Sequence, residues 1–153
     1  MTVNRLGLDC VLAYDANGES ATYATPTWTT IAYAKDVSVP LSKATADVTT
    51  RAANGWRQRV GTLKEGNLQF QYKYVPGDAV FDDLYDSYEN GTRLLCFVAD
   101  GPVATSGTEG LKIWCEVTKL DIQQELENAM MFDVEMVIAD SAAAQTPDWI
   151  TIA

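Results

Sequence analysis

Apolar and polar residues alternate with a period of two along much of the chain, which is the pattern of half-buried β-strands. The stretch "NLQFQYKYV" (67–75) shows this most clearly, because Leu68, Phe70 and Tyr72 alternate with polar side chains. The short apolar run "RLLCFVAD" (93–100) predicts a buried strand. Weaker alternation predicts extended segments over residues 8–14, 29–41, 111–123 and 129–140.

A change of period after residue 75 predicts one helix. Pro76-Gly77 interrupts the preceding strand, and Asp78 is a suitable N-cap. Apolar residues then recur at helical spacing, and Asn90-Gly91 supplies a stop. The order of elements predicts a mainly β fold: an antiparallel β-sandwich or small barrel with one flanking α-helix at about residues 78–90.

Two segments follow neither period. Residues 42–66 are mostly small and polar, and a compact domain seldom carries so long a stretch without a use for it. They are predicted to form a long projecting loop. The final stretch, "SAAAQTPDWITIA" (141–153), is predicted to be an extended C-terminal arm, in which Trp149 and Ile150 are apolar residues that a free terminus would not need.

Composition narrows the function classes. The chain has 153 residues, the size of one domain, and no apolar run near the roughly 20 residues of a membrane helix. No secretory signal is visible, so assembly in a cytoplasm is expected. The absence of histidine excludes Ser-His-Asp and Cys-His catalysis. The three cysteines are expected to be core residues rather than a disulfide or zinc site.

No catalytic, cofactor-binding or metal site is predicted. Asp133 and Glu135 lie on the polar face of a predicted strand, where charge is expected without any acid–base role. Lys73 and Lys112 are expected to be exposed strand lysines, and neither is marked as a nucleophile. The chain is therefore predicted not to be an enzyme.

Charge is distributed unevenly. Residues 1–77 carry eight Lys and Arg against six Asp and Glu, whereas residues 78–153 carry three against fifteen. Arg51, Arg57, Arg59 and Lys64 follow one another with no acid between them. Two readings stay open: two ordinary solvated faces, or a basic projection that meets the acidic body of another copy.

The stretch from residue 34 to residue 78 resembles the major tail tube proteins of long-tailed bacteriophages, with a likeness that extends to about residue 91. The resemblance lies in an ordered series of short motifs: Val37, Pro40 to Ala44, Asp47 to Arg51, Gly55-Trp56 and Thr62 to Lys64.

The resemblance implies a single tail-tube domain over residues 1–153 that assembles into stacked hexameric rings. The rings would form a hollow conduit through which DNA passes during infection, without sequence-specific binding. It implies as partners other copies of the chain, a tape-measure protein and a tail-terminator protein, and as location a virion tail assembled in the host cytoplasm. No cofactor or membrane is expected. The candidate inter-subunit residues are Lys43, Asp47, Arg51, Trp56, Arg57, Arg59, Lys64 and Trp149.

Two alternatives remain on sequence grounds. One is a monomeric β-sandwich binding module for carbohydrate or protein, with the four tryptophans as stacking candidates. The other is an inner-tube protein of a secretion or contractile injection system, which shares the fold that the resemblance implies.

Overall fold

The computed structural model describes residues 4–141 and 145–153, and within them nine strands and one α-helix form the fold. The elements are β1 (Val11–Asp15), β2 (Trp28–Thr30), β3 (Ala34–Ser38), β4 (Leu41–Asp47), β5 (Arg59–Lys73), α1 (Ala79–Asn90), β6 (Leu94–Ala99), β7 (Glu109–Gln123), β8 (Met131–Ile138) and β9 (Asp148–Thr151).

The strands form one antiparallel sheet in the order β2-β1-β6-β7-β8-β5-β3, with β4 paired to β5 and β9 paired to β7. The two outer strands, β2 and β3, are joined by three residues, which span at most about 14 Å. That linker bonds to both sides of the sheet: the Ile31 amide donates to the Leu12 carbonyl of β1, and the Lys73 amide of β5 donates to the Tyr33 carbonyl. The sheet is therefore curled until its edges meet.

The core lies inside this curled sheet. Leu68, Phe70 and Tyr72 of β5 are buried there as their period of two predicts, together with alternate residues of β7 and β8. The helix packs on the same core through Val80 and Leu84. The predicted fold class, a mainly β antiparallel fold with one flanking helix, is confirmed.

The helix is held by its cap and by two tyrosines of the sheet. Asp78 accepts a hydrogen bond from the Val80 amide at 3.2 Å, and Tyr72 donates its phenol hydrogen to the other Asp78 oxygen. Tyr14 of β1 donates to Asp83 at 2.5 Å. Burial, followed by the hydrogen bond to Asp83, raises the pKa of Tyr14 above its ordinary value. The acids on the sheet side of the helix therefore fix its position.

The other face of β1, β6 and β7 is also buried, which the apolar run indicated for β6 and the alternation did not indicate for β1 and the first half of β7. Tyr23, Trp28 and Gln145 contact this face. Trp28 stacks on Phe97 with ring centroids 5.1 Å apart, and the Trp114 indole donates to the Gln145 side chain at 2.9 Å. Gly110 of β7 sits against the Val98 and Ala99 backbone of β6, so a side chain has no room there.

Several sequence-based expectations were wrong in detail. Lys112 is buried: its ammonium donates to the Tyr23 carbonyl at 2.9 Å and lies over the Tyr23 ring, because β7 is covered on both faces here. Cys10 is exposed because the first strand begins only at Val11. Cys96 and Cys115 are core residues, as expected.

A candidate inter-subunit surface

Residues 41–66, named here the hairpin arm, form a β-hairpin where the sequence predicted a loop. β4 pairs with the first half of β5, from Leu41 opposite Gly66 to Asp47 opposite Arg59. The second half of β5 pairs with β8 on one side and β3 on the other. The inner strand of the arm is therefore a direct extension of a central strand of the sheet.

The hairpin arm has no core of its own. Every residue of β4 is exposed, and so are residues 59–65 of β5, on both faces of the ribbon. Among the described residues, β4 pairs with β5 alone, which leaves its other edge open. Isolated two-stranded ribbons are marginally stable, and open edges are templates for pairing with another chain. An arm of this kind is suited to contact another molecule.

The tip of the arm is an ordered turn. The Thr49 amide donates to Asp47 at 2.8 Å. The side-chain hydrogen bond from Thr49, followed by this backbone one, holds the pKa of Asp47 below its ordinary value. The Gln58 amide donates to the Thr49 hydroxyl at 2.9 Å across the turn. Asn54 and Gly55 adopt left-handed conformations that reverse the chain. The Trp56 amide then donates to the Ala53 carbonyl, and the tryptophan side chain is 77% exposed.

No basic residue of the arm forms an ion pair with another described residue. Residues 41–66 hold five Lys and Arg against two Asp and Glu, a formal charge of +3, so the rest of the chain carries −13. Lys43 and Lys64 are directly opposite each other, an arrangement that is destabilising in isolation. The ion pairs found among the described residues, Arg5–Asp100 and Arg93–Glu19, both lie outside the arm. A nearby acidic surface would relieve this repulsion.

The structure thus brings together seven of the eight predicted residues, which all lie on the arm: Lys43, Asp47, Arg51, Trp56, Arg57, Arg59 and Lys64. Sequence reasoning missed four exposed apolar residues beside them: Val48, Val60, Leu63 and Leu41. The available signal was their presence in a stretch that is otherwise small or polar apart from Trp56.

Trp149, the eighth, lies on β9, the part of the predicted extended C-terminal arm that pairs with β7; residues 142–144 of that arm lie outside the described residues. Trp149 lines an apolar cleft of about 1010 Å³ where the hairpin arm joins the body. Other walls of the cleft come from residues near the start of the chain, from β3 and from the first residue of β4: Leu8, Cys10, Val37 and Leu41.

The outer face of β3, β5, β7 and β8 is polar, as the alternation predicts. It forms a shallow groove of about 300 Å³. Amides and carboxylates outnumber lysines among its polar lining residues: Asp36, Ser38, Gln69, Gln71, Lys119, Asp133 and Glu135. Asp133 accepts a hydrogen bond from the Gln123 amide group at 2.5 Å. The carboxylates are thus strand-surface groups, and within residues 4–141 and 145–153 no group of three potential metal ligands occurs.

The tryptophans do not form a common stacking surface. Trp28 and Trp114 are engaged inside the protein, whereas Trp56 and Trp149 lie on different elements, the hairpin arm and β9. A carbohydrate-binding module usually needs aromatic rings presented side by side. The arrangement therefore gives no support to that alternative.

Comparison with known proteins identifies the fold. No family model and no curated protein matches the chain. Solved structures do match. One is a chain from the tail of an empty gene transfer agent (GTA) particle with C6 symmetry (TM-score 0.69, 15% identity), and the match covers 98% of this chain and 100% of the GTA chain. The SPP1 tail tube (TM-score 0.68, 12% identity) covers 88% and 76%. The anti-feeding prophage (AFP) baseplate (TM-score 0.62, 8% identity) covers 98% and 97%.

These similarities show that the chain has the fold of components of the GTA tail, the SPP1 tail tube and the AFP baseplate. Within the described residues, no helix has the length and apolar character needed to cross a membrane.

Proposed function

We propose that the chain is a structural, non-enzymatic subunit of a bacteriophage-type tail tube, with residues 1–153 forming one tail-tube domain. Copies would assemble into hexameric rings that stack head to tail into a hollow conduit for DNA. The observation that carries the proposal is the hairpin arm, an exposed basic ribbon on a fold shared with a C6-symmetric tail and a tail tube.

Stacked rings require heterologous contacts, in which one surface meets a different surface of the next copy. The arm supplies one such surface, since its cations are unpaired within the described residues. The rest of the chain, which carries a formal charge of −13, supplies the other surface. Opposite charges steer association and fix register more than they add affinity, as assembly of many identical copies needs.

The polar groove on β5 and β8 is proposed to face the lumen. A conduit for DNA must not hold the phosphate backbone, and each Lys–phosphate contact adds affinity. Gln69, Gln71, Asp133 and Glu135 offer amides and carboxylates with a single lysine, Lys119, among them. DNA would then pass without sequence-specific binding.

The proposed partners and place of action follow from this role. They are a tape-measure protein inside the tube, a terminator protein at its end, and assembly in the host cytoplasm into a virion tail. An inner-tube role in a contractile injection system is the second candidate, favoured by the likeness to the AFP baseplate. Recovery of the chain from purified DNA-containing particles would favour the first candidate, and recovery from sheathed particles without DNA the second.

Shortening the arm at a matched pair of residues tests the proposal. Thr45 and Gly61 are paired across the hairpin, so joining them through an Asn-Gly turn in place of residues 46–60 preserves the register. We expect the wild-type protein to form tubes at high concentration in negative-stain images, and the shortened variant to remain a folded monomer. Tubes of normal appearance from the shortened variant, or no assembly of the wild type with its tape-measure and terminator proteins present, would contradict the proposal.

A further inference from the structure

The apolar cleft at the base of the arm is open to solvent. Its wall residues include Leu8, which is 92% exposed, Trp149, 65% exposed, and Leu41, 61% exposed. Val37 and Cys10, which carries a thiol, are further exposed residues of the lining. An isolated soluble chain seldom leaves such a cluster uncovered, and clusters of this kind mark surfaces that receive another molecule.

Three charged residues line the cleft: Lys35, Asp36 and Asp100. The Asp100 carboxylate is paired with Arg5 at 3.2 Å, whereas Lys35 and Asp36 form no ion pair among the described residues. The chain outside the hairpin arm carries a formal charge of −13, so the body that bears the cleft favours a cationic partner. A group that fits this cleft would combine apolar bulk with positive charge.

The tip of the hairpin arm has that combination. Trp56 is its most prominent apolar side chain, and Arg51, Arg57 and Arg59 surround it in sequence. A tryptophan held on an ordered turn loses little freedom on binding, and tryptophan and arginine are the side chains most often found at the centre of protein interfaces.

The tip cannot reach the cleft of its own chain. Leu41 is both a wall of the cleft and the first residue of β4, and the strand runs about 20 Å from there to Asp47 at the tip. The ribbon is paired along this length, so it cannot fold back on its base. A tip that fills the cleft must therefore belong to a second copy of the chain. Because the tip and the cleft are different surfaces, the contact between the two copies is head to tail.

We propose that the cleft formed by the start of the chain, β3 and β9 receives the tip of the next copy's hairpin arm, with Trp56 as the apolar anchor. This inference rests on the proposed function, because it names the surface that the arm contacts in a stack of rings. Each copy would offer one tip and one cleft.

A disulfide between tip and cleft tests the inference. Cys10 is the exposed cysteine of the cleft, whereas Cys96 and Cys115 are buried in the core. Ala52→Cys places a second thiol on the exposed side of the tip. Mild oxidation of assembled Ala52→Cys protein should give a ladder of linked copies on non-reducing gels, because each copy joins two neighbours. The control Ala52→Cys/Cys10→Ser should give no ladder.

The outcomes separate the inference from the proposed function. Tubes that give dimers alone would mean tip-to-tip contact, and tubes that give no cross-link would place the tip elsewhere; either overturns the inference while tube formation stands. The wild type provides a second measurement: Cys10 in tubes should react with a maleimide at least tenfold more slowly than in the monomer. Equal rates in tubes and monomer would also overturn it. Absence of tubes altogether would count against the proposed function instead.

Discussion

Replacing Trp56 by alanine should raise the concentration needed for assembly and leave the monomer almost unchanged. The side chain is 77% exposed, and the only Trp56 bond within the tip turn is made by its backbone amide. Surface substitutions of this kind change the free energy of unfolding by about 0.5 kcal/mol or less. The melting temperature of the monomer should therefore move by no more than about 2 °C.

The expected effect on assembly follows from the area available for burial. An aromatic side chain buries roughly 150–250 Å². Burying the exposed three-quarters at about 25 cal/mol per Å² contributes about 3–5 kcal/mol per contact. Losing the lower value would raise the protein concentration needed for tube formation by about two orders of magnitude.

Sedimentation of tubes across a concentration series, with negative-stain imaging of the pellets, measures this threshold. Leu126→Ala is the matched control, because Leu126 is a fully exposed apolar residue on the turn between β7 and β8, away from the arm. Trp56→Phe should lie between wild type and alanine. If Trp56→Ala forms tubes at the wild-type threshold, Trp56 is not an anchor and the reasoning from its exposure fails.

Further predictions concern the fold, the arm and the groove. Tyr14→Phe should lower the free energy of unfolding by about 1.5–3 kcal/mol at pH 7. Because folding raises the pKa of Tyr14 above the ordinary 10.0, the stability of the wild type should fall as the pH rises above about 10. Chemical denaturation should show a smaller fall in the variant. Gly110→Ala should cost about 1–3 kcal/mol in the same assay, because its methyl group would meet the backbone of β6; an unchanged midpoint would refute the close approach. The double variant Lys43→Glu/Lys64→Glu should not form tubes, and added salt should weaken tube assembly of the wild type. Persistence of tubes in the double variant would show that the charge of the arm is irrelevant. Gln69→Lys should make tubes retain short DNA duplexes that wild-type tubes release, measured by co-sedimentation; equal retention would argue against a lumen-facing groove.

Sequence pattern predicted the elements that have one face on the core and one in solvent. β5 from Leu68 onward, β8 and the helix each satisfy that condition, and each appears within a few residues of its predicted place. The caps of the helix were equally readable, because Asp78 and Gly91 act locally. For these elements, the hydrophobic period and the capping residues were sufficient to predict the secondary structure and, to within a few residues, its bounds.

The pattern failed for the hairpin arm and for Lys112, although the continuous apolar run of β6, which is also buried on both faces, was read correctly. The hairpin arm has solvent on both faces, so its strands carry no alternation and were taken for a loop. The first half of β7 has protein on both faces, so Lys112 was taken for an exposed residue. The candidate residues of the arm were found through charge and motif order instead, and the cleft around Trp149 was missed because it joins segments distant in sequence.

The continuity of β5 has a mechanical consequence. The strand begins in the arm at Arg59 and ends in the sheet at Lys73, so tension applied at the tip travels along one covalent backbone into the body. The hydrogen bonds that join β5 to β3 and β8 lie across that direction. They would be loaded in shear and would have to break together, rather than peel apart one by one. A stack of subunits connected through such arms would be stiff against stretching along its axis.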